Sequence, residues 1–208
     1  MKRIALAAIL LSLAFSSFGQ GTIYFMNSST TLVMSWNGGS YEPAPNSLNG
    51  RIEFYYSTAA ASPAVNYSDL AGWLSTTPGT PTPVGVPVPG RFASVTQSAD
   101  NAIGGSSIWV HARSWTGGYP DWPTALAAAQ LDPNSVLLAY SAAWLQPTGN
   151  PGNYPPYPPE PMVNGSSGFN GLYLNPLPAQ AVPEPSASAL TGLSLLSIWF
   201  CRRRSGSM

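Results

Sequence analysis

RIEFYYS, residues 51–57, carries the fold class. Ile52, Phe54 and Tyr56 fall on one side of the stretch and Arg51, Glu53 and Tyr55 on the other, the period-two alternation of a strand with one face turned to a core. IWVHARSW, residues 108–115, repeats that period. Ile108, Val110 and Ala112 form one row, Trp109, His111, Arg113 and Trp115 the other, and Gly117-Gly118 closes the run. Aromatic and β-branched side chains of this kind suit a pleated, half-buried surface.

Shorter signals lie to either side. TIYFMN, residues 22–27, sets Ile23 and Phe25 against Tyr24 and Met26, and residues 31–36 put Leu32, Met34 and Trp36 on one face before the Asn37-Gly38-Gly39 turn. The pair predicts a hairpin turning at residues 28–30. Residues 41–49 read as a loop. Residues 59–71 show no period and are interrupted at Ser62-Pro63, with a helical turn near 68–74 left open. Pro78, Pro81, Pro83, Pro87 and Pro89 withhold backbone donors, so residues 76–89 are expected at a sheet edge or in a loop. A strand is expected at 92–96. The alanine-rich stretch 125–131 predicts a helix capped by Asp121 or Thr124 and closed by Asp132-Pro133. Residues 135–144 are apolar throughout and read as a buried strand, though their alanines leave helix open. PTGNPGNYPPYPPEP, residues 147–161, is polyproline-like or irregular, and residues 168–174 give a last short strand. Short strands between Gly/Pro turns, with little helix, point to a mainly β protein: a single β-sandwich-like domain over 20–175 with a Pro-rich insert at 147–161, then a linker at 176–181.

The two ends read differently from the body. Lys2 and Arg3 precede an apolar run too short to span a membrane, and Ser17-Phe18-Gly19 supplies small residues ahead of a cut before Gln20, so residues 1–19 are expected to be a signal peptide. The tail at 182–204, VPEPSASALTGLSLLSIWFCRRR, has three parts in order. Pro183 and Pro185 hold residues 182–185 extended. The next run contains no charge until Arg202, Arg203 and Arg204, which provide a positive stop on the cytoplasmic side. The 17 uncharged residues between Glu184 and Arg202 reach about 26 Å as a helix, against a hydrocarbon core of roughly 30 Å, a marginal span for residues 186–201.

This order resembles the PEP-CTERM sorting signal of exported bacterial proteins. The resemblance implies that Pro183, Glu184 and Pro185 form the recognition element, 186–201 the transient transmembrane segment and Arg202–Arg204 the membrane stop. It further implies that an exosortase-type membrane protease processes the tail after signal peptidase and the general export machinery have acted. The destination it implies is the inner membrane first, then the cell surface or an exopolysaccharide-bearing matrix. The body is also similar to a subgroup of such precursors through Gly21-Thr22-Ile23-Tyr24-Phe25-Met26-Asn27, near the expected cut, and through Arg113-Ser114-Trp115 ahead of a Gly-rich turn and an alanine-rich helix. The insert at 147–161 departs from that pattern.

Charge excludes some functions. Without the leader and the three tail arginines the chain has no lysine and only Arg51, Arg91 and Arg113, against eight acidic residues from Glu42 to Glu184, a net charge of −5 before any trimming at the tail. No basic stripe exists to neutralise phosphates, so nucleic acid is not an expected partner. Cys201 is the single cysteine and falls in the tail, which leaves the body without a disulfide or thiol site. The acidic residues are scattered, with no pair spaced as a glycosidase needs, and no nucleophile elbow, phosphate loop or metal-spaced set occurs. The expectation is therefore a protein that is not an enzyme and holds no cofactor or metal. One row remains. Trp109, His111, Arg113 and Trp115 share a face, which reads foremost as packing under a second layer, with a glycan-stacking platform for extracellular polysaccharide as the alternative.

Overall fold

The computed structural model describes residues 20–153, 155–163 and 168–178. The signal peptide expected at 1–19 and the sorting signal expected at 182–204 lie outside the described residues, as do residues 179–181 of the expected linker. The described chain is mainly β, in the order β1 (Gln20–Phe25), β2 (Val33–Trp36), β3 (Tyr41–Pro43), a 3-10 turn (Asn46–Leu48), β4 (Arg51–Ser57), β5 (Leu74–Ser75), β6 (Thr82–Pro83), β7 (Val95–Ile103), β8 (Ser107–Trp115), α1 (Trp122–Leu131), β9 (Leu137–Tyr140), β10 (Trp144–Pro147) and β11 (Leu172–Pro176). A nine-stranded sheet runs β3-β2-β11-β9-β8-β4-β5, with β10 also on β8 and β6 also on β4; β1 and β7 form a separate antiparallel pair.

Strands β4 and β8 are the centre of the large sheet, antiparallel from Arg51 opposite Trp115 to Ser57 opposite Trp109. Their apolar rows, Ile52, Phe54 and Tyr56 with Ile108, Val110 and Ala112, meet Ile23 and Phe25 of β1 in the main core. Phe25 stacks on Phe54 with centroids 4.1 Å apart, an arrangement that adds about 1 kcal/mol to the area buried. On the other face, Glu53 and Tyr55 of β4, which the alternation turns away from the core, are buried together with His111 and Arg113 of β8. Residues 58–75 and α1 cover it. A second cluster forms there from Trp115, Trp122, Ala125, Leu126, Ala129, Val136, Leu138 and Leu177. Asp121 caps α1 by accepting a hydrogen bond from Thr124 N at 2.8 Å, and Ala125 and Ala129 let the helix lie close to the sheet.

Residues 22–36 do not form the expected hairpin. β1 pairs with β7, whereas β2 pairs with β3 and, in parallel, with β11. Asn27 drives the separation. Its buried amide donates to Gly90 O at 2.8 Å and its Oδ1 accepts from Phe92 N at 3.3 Å, tying the chain to residues 90–92 before β2 begins. In β2 it is Val33 and Ser35 that point inward, which leaves Met34 and Trp36 on the outer face. β7 extends to Ile103, beyond the expected 92–96. The segment 135–144 divides into β9 and the start of β10. β11 carries the body into the expected linker, where Leu177 is buried.

The Pro-rich insert is irregular, but its two ends do structural work. Gly149 and Thr22 exchange hydrogen bonds of 3.2 and 2.8 Å, and Met162 N donates to Tyr24 O at 3.4 Å, so the edge of β1 away from β7 is occupied. Asn150 and Tyr157 exchange a second pair at 2.7 and 3.0 Å that closes the insert on itself. An open strand edge is a template for pairing with other chains, and this one is covered.

Candidate functional site

The row predicted on β8 divides once folded. Trp109 is half-buried near the start of the strand, and Trp115 is fully buried against Trp122, with ring centroids 6.1 Å apart. Trp115 Nε1 donates to Tyr119 O at 2.9 Å. With Trp115 enclosed, the two indoles do not share an open surface on which a sugar can stack.

His111 and Arg113, between them, are each 0% exposed. The Arg113 guanidinium is a clamp on the covering segment. It donates to Tyr67 O at 3.2 Å, Asn66 O at 2.9 Å and Asp69 O at 2.7 Å, while its plane lies over Trp122 at 4.9 Å and Tyr55 at 5.4 Å. Asn66 Oδ1 accepts from Ser68 N and Asp69 N, which bends the loop so that its carbonyls converge on the cation. Burial lowers the arginine to about 10, leaving it charged at neutral pH.

His111 stacks on Tyr55 at 5.2 Å and meets Trp73 edge-on at 4.3 Å. Neither of its ring nitrogens has a hydrogen-bond partner. Burial, reinforced by the nearby Arg113 charge, holds its pKa down at about 3, so the ring is neutral. Glu53, on the neighbouring strand, accepts from Tyr55 Oη at 2.6 Å and from Ser75 Oγ. Burial raises its pKa, and those two hydroxyls pull against the rise. Glu53, Tyr55, His111 and Arg113 are thus brought together, but as an enclosed joint between sheet and loop. Among the described residues no three His, Cys, Asp or Glu side chains are grouped as a metal would need, and no helix is long and apolar enough to cross a membrane.

The open features lie elsewhere, on the outer face of β3, β2 and β11. Met34 pairs with Tyr173 across the parallel ladder, and Trp36 with Tyr41 across the antiparallel one. Trp36, Tyr41 and Tyr173 form a continuous run, with centroids 5.2 Å and then 5.0 Å apart and ring planes at 60° and 80°. They are 36%, 38% and 57% exposed. Tyr41 Oη donates to Asn175 Oδ1, and Asn175 Nδ2 to the main-chain Tyr173 O at 2.8 Å, which ties the Tyr41 phenol to β11. A groove of about 690 Å³ runs from Tyr67 and Tyr140 past Ser141 to Asn170 and Tyr173, and a smaller one of about 240 Å³ lies beside Ser29, Thr30 and Met34. Tyr173 and Asn170 line both. The sequence signal for this face was the alternation at 31–36, which placed Met34 and Trp36 together, but nothing in it joined that stretch to residue 173.

No family model matches the chain, and no curated protein or solved structure matches it either.

Proposed function

We propose that this is a non-catalytic exported protein of the bacterial surface or extracellular matrix, sorted through its C-terminal tail and processed there by an exosortase-type enzyme. The observation that carries the reading is the order within residues 182–204: a Pro-Glu-Pro handle, an uncharged run, then Arg202, Arg203 and Arg204. The basic and apolar leader at 1–19 supports it from the other end. The body between them is a sandwich-like domain, a reading supported by the core that β1 and the β4–β8 centre share. The last buried side chain of that body is Leu177, upstream of the handle at Val182. The non-catalytic part of the reading is supported by Glu53 and His111, enclosed under residues 58–75 where no substrate reaches them.

Intact-mass measurement of the protein purified from its native host tests the proposal. The expected product begins at Gln20 and ends between Pro183 and Ser186, with any attached group visible as added mass. A Glu184→Ala chain is expected to keep its tail and to accumulate in the membrane fraction. Native protein found in the cytosol with both ends uncut overturns the proposal.

A further inference from the structure

The aromatic run Trp36–Tyr41–Tyr173 lies outside both buried clusters. We propose that it is the binding surface for a neutral polysaccharide, with the flanking grooves taking the sugars on either side of Tyr173. The inference does not depend on the tail.

Three observations carry it. The first is exposure without a packing cause. The inner face of these strands supplies Val33, Leu172 and Leu174 to the core, so the outer rings are not needed to close it. Rings meeting edge-on at 60° and 80° also leave faces free, as flat stacking would not. An exposed aromatic face packs on the axial C–H surface of a pyranose, which is apolar although the sugar's rim is polar.

The second observation is preorganisation. The Asn175 side chain receives the Tyr41 hydroxyl at one end and is itself anchored to the Tyr173 carbonyl at the other, which holds the Tyr41 phenol, and the Tyr173 ring edge-on against it, before any ligand arrives. Binding then costs little of the rotamer freedom that exposed rings normally lose.

The third is chemistry without charge. The residues lining both grooves are aromatic, aliphatic, hydroxyl or amide, with no ionised side chain among them. The carboxylate of Glu42, next to Tyr41 on β3, accepts from Asn37 Nδ2 at 2.7 Å and lines neither groove. A polyanion would find no counter-charge and a cation no carboxylate, whereas a neutral chain of hydroxyls finds the Asn170 amide and the Ser29 and Thr30 hydroxyls beside an aromatic platform. A groove open on both sides of Tyr173 suits an internal stretch of polymer.

The test is affinity electrophoresis of the full-length chain in a sugar-free polyoxyethylene detergent. The gels contain a mixed-linkage β-glucan, dextran or galactomannan, with polygalacturonate as the anionic comparison. Retardation by at least one neutral polymer is expected, weakened about tenfold in Tyr173→Ala, the scale of one lost aromatic face. Tyr157→Ala, an exposed tyrosine of the insert, should leave retardation unchanged. Asn170→Ala, also on the surface, is expected to weaken binding severalfold and provides a second variant if Tyr173→Ala melts early. Retardation by no neutral polymer, by polygalacturonate alone, or equally in Tyr173→Ala and Asn170→Ala overturns the proposal. So does a dimer in sedimentation that Tyr173→Ala converts to monomer, since a second copy would then be the occupant.

Discussion

His111 and Arg113 lie two residues apart on β8, and burial treats them in opposite ways. The guanidinium keeps its charge because three loop carbonyls and two aromatic faces receive it. The imidazole has no such partners and stays neutral. A folded pKa of about 3, below the unfolded 6.5, gives stability that is present above pH 6.5 and is lost as the pH falls towards 3. The slope from this one group is at most about 1.4 kcal/mol per pH unit. Glu53 acts in the other direction, since its raised pKa makes the folded state take up a proton first and stabilises it as the pH drops towards 4.5. His111→Phe should therefore flatten the acid limb between pH 6.5 and 4.5, and at pH 7 it should match or exceed the parent because no hydrogen bond is lost. Urea midpoints measured across that range check this. Parallel curves for parent and variant would rule out His111 as the source of the acid sensitivity.

At the scale of elements, the joint between β2 and β11 is the least expected and the most exacting. It is parallel and brings Val33 opposite Leu172. Gly171 makes it possible. Its φ is +88°, and a Cβ there would lie 2.6 Å from Leu32 O, the same carbonyl that accepts from Leu172 N at 3.2 Å. Gly171→Ala should cost roughly 2–4 kcal/mol, the left-handed backbone penalty plus the displaced strand. Gly38→Ala, with φ +97° and open space around it, should cost only about 1 kcal/mol. Thermal melts of the two variants compare them directly, and equal losses would mean that the close approach to Leu32 contributes nothing. The elements differ in how well they could be read beforehand. β4 and β8 were legible because large side chains mark every second position. β7 was legible only at its start, since beyond Val95 its buried residues are just Ala99 and Ala102 among mostly polar neighbours. The parallel joint was not legible either, because nothing local links residue 33 to residue 172.

For the whole molecule, the inner core followed from the alternating rows, while the outer cover did not. Residues 58–75 are mostly small, polar or proline, so nothing in them marks the layer that their carbonyls and Trp73 form over His111 and Arg113. At Trp115 the reading as packing under a second layer agrees with its complete burial, while the glycan platform stood only as the alternative; a single strand does not reveal which segment lies above it. Arg113, enclosed within that cover, has one more consequence. Trypsin-like proteases need a lysine or arginine on a segment that can be drawn extended into their active site. Between Gln20 and Pro178 they would find no lysine, Arg113 sealed in a central strand, Arg51 half-buried at the start of another, and Arg91 bonded to Asn27 O at 3.1 Å. Trypsin should leave the folded body as one fragment in a mass spectrum under conditions where chymotrypsin nicks it, while early cleavage after Arg51 or Arg91 would show those strands to be loose. In a trypsin-rich medium, such a body would persist where a chain with exposed lysines is cut.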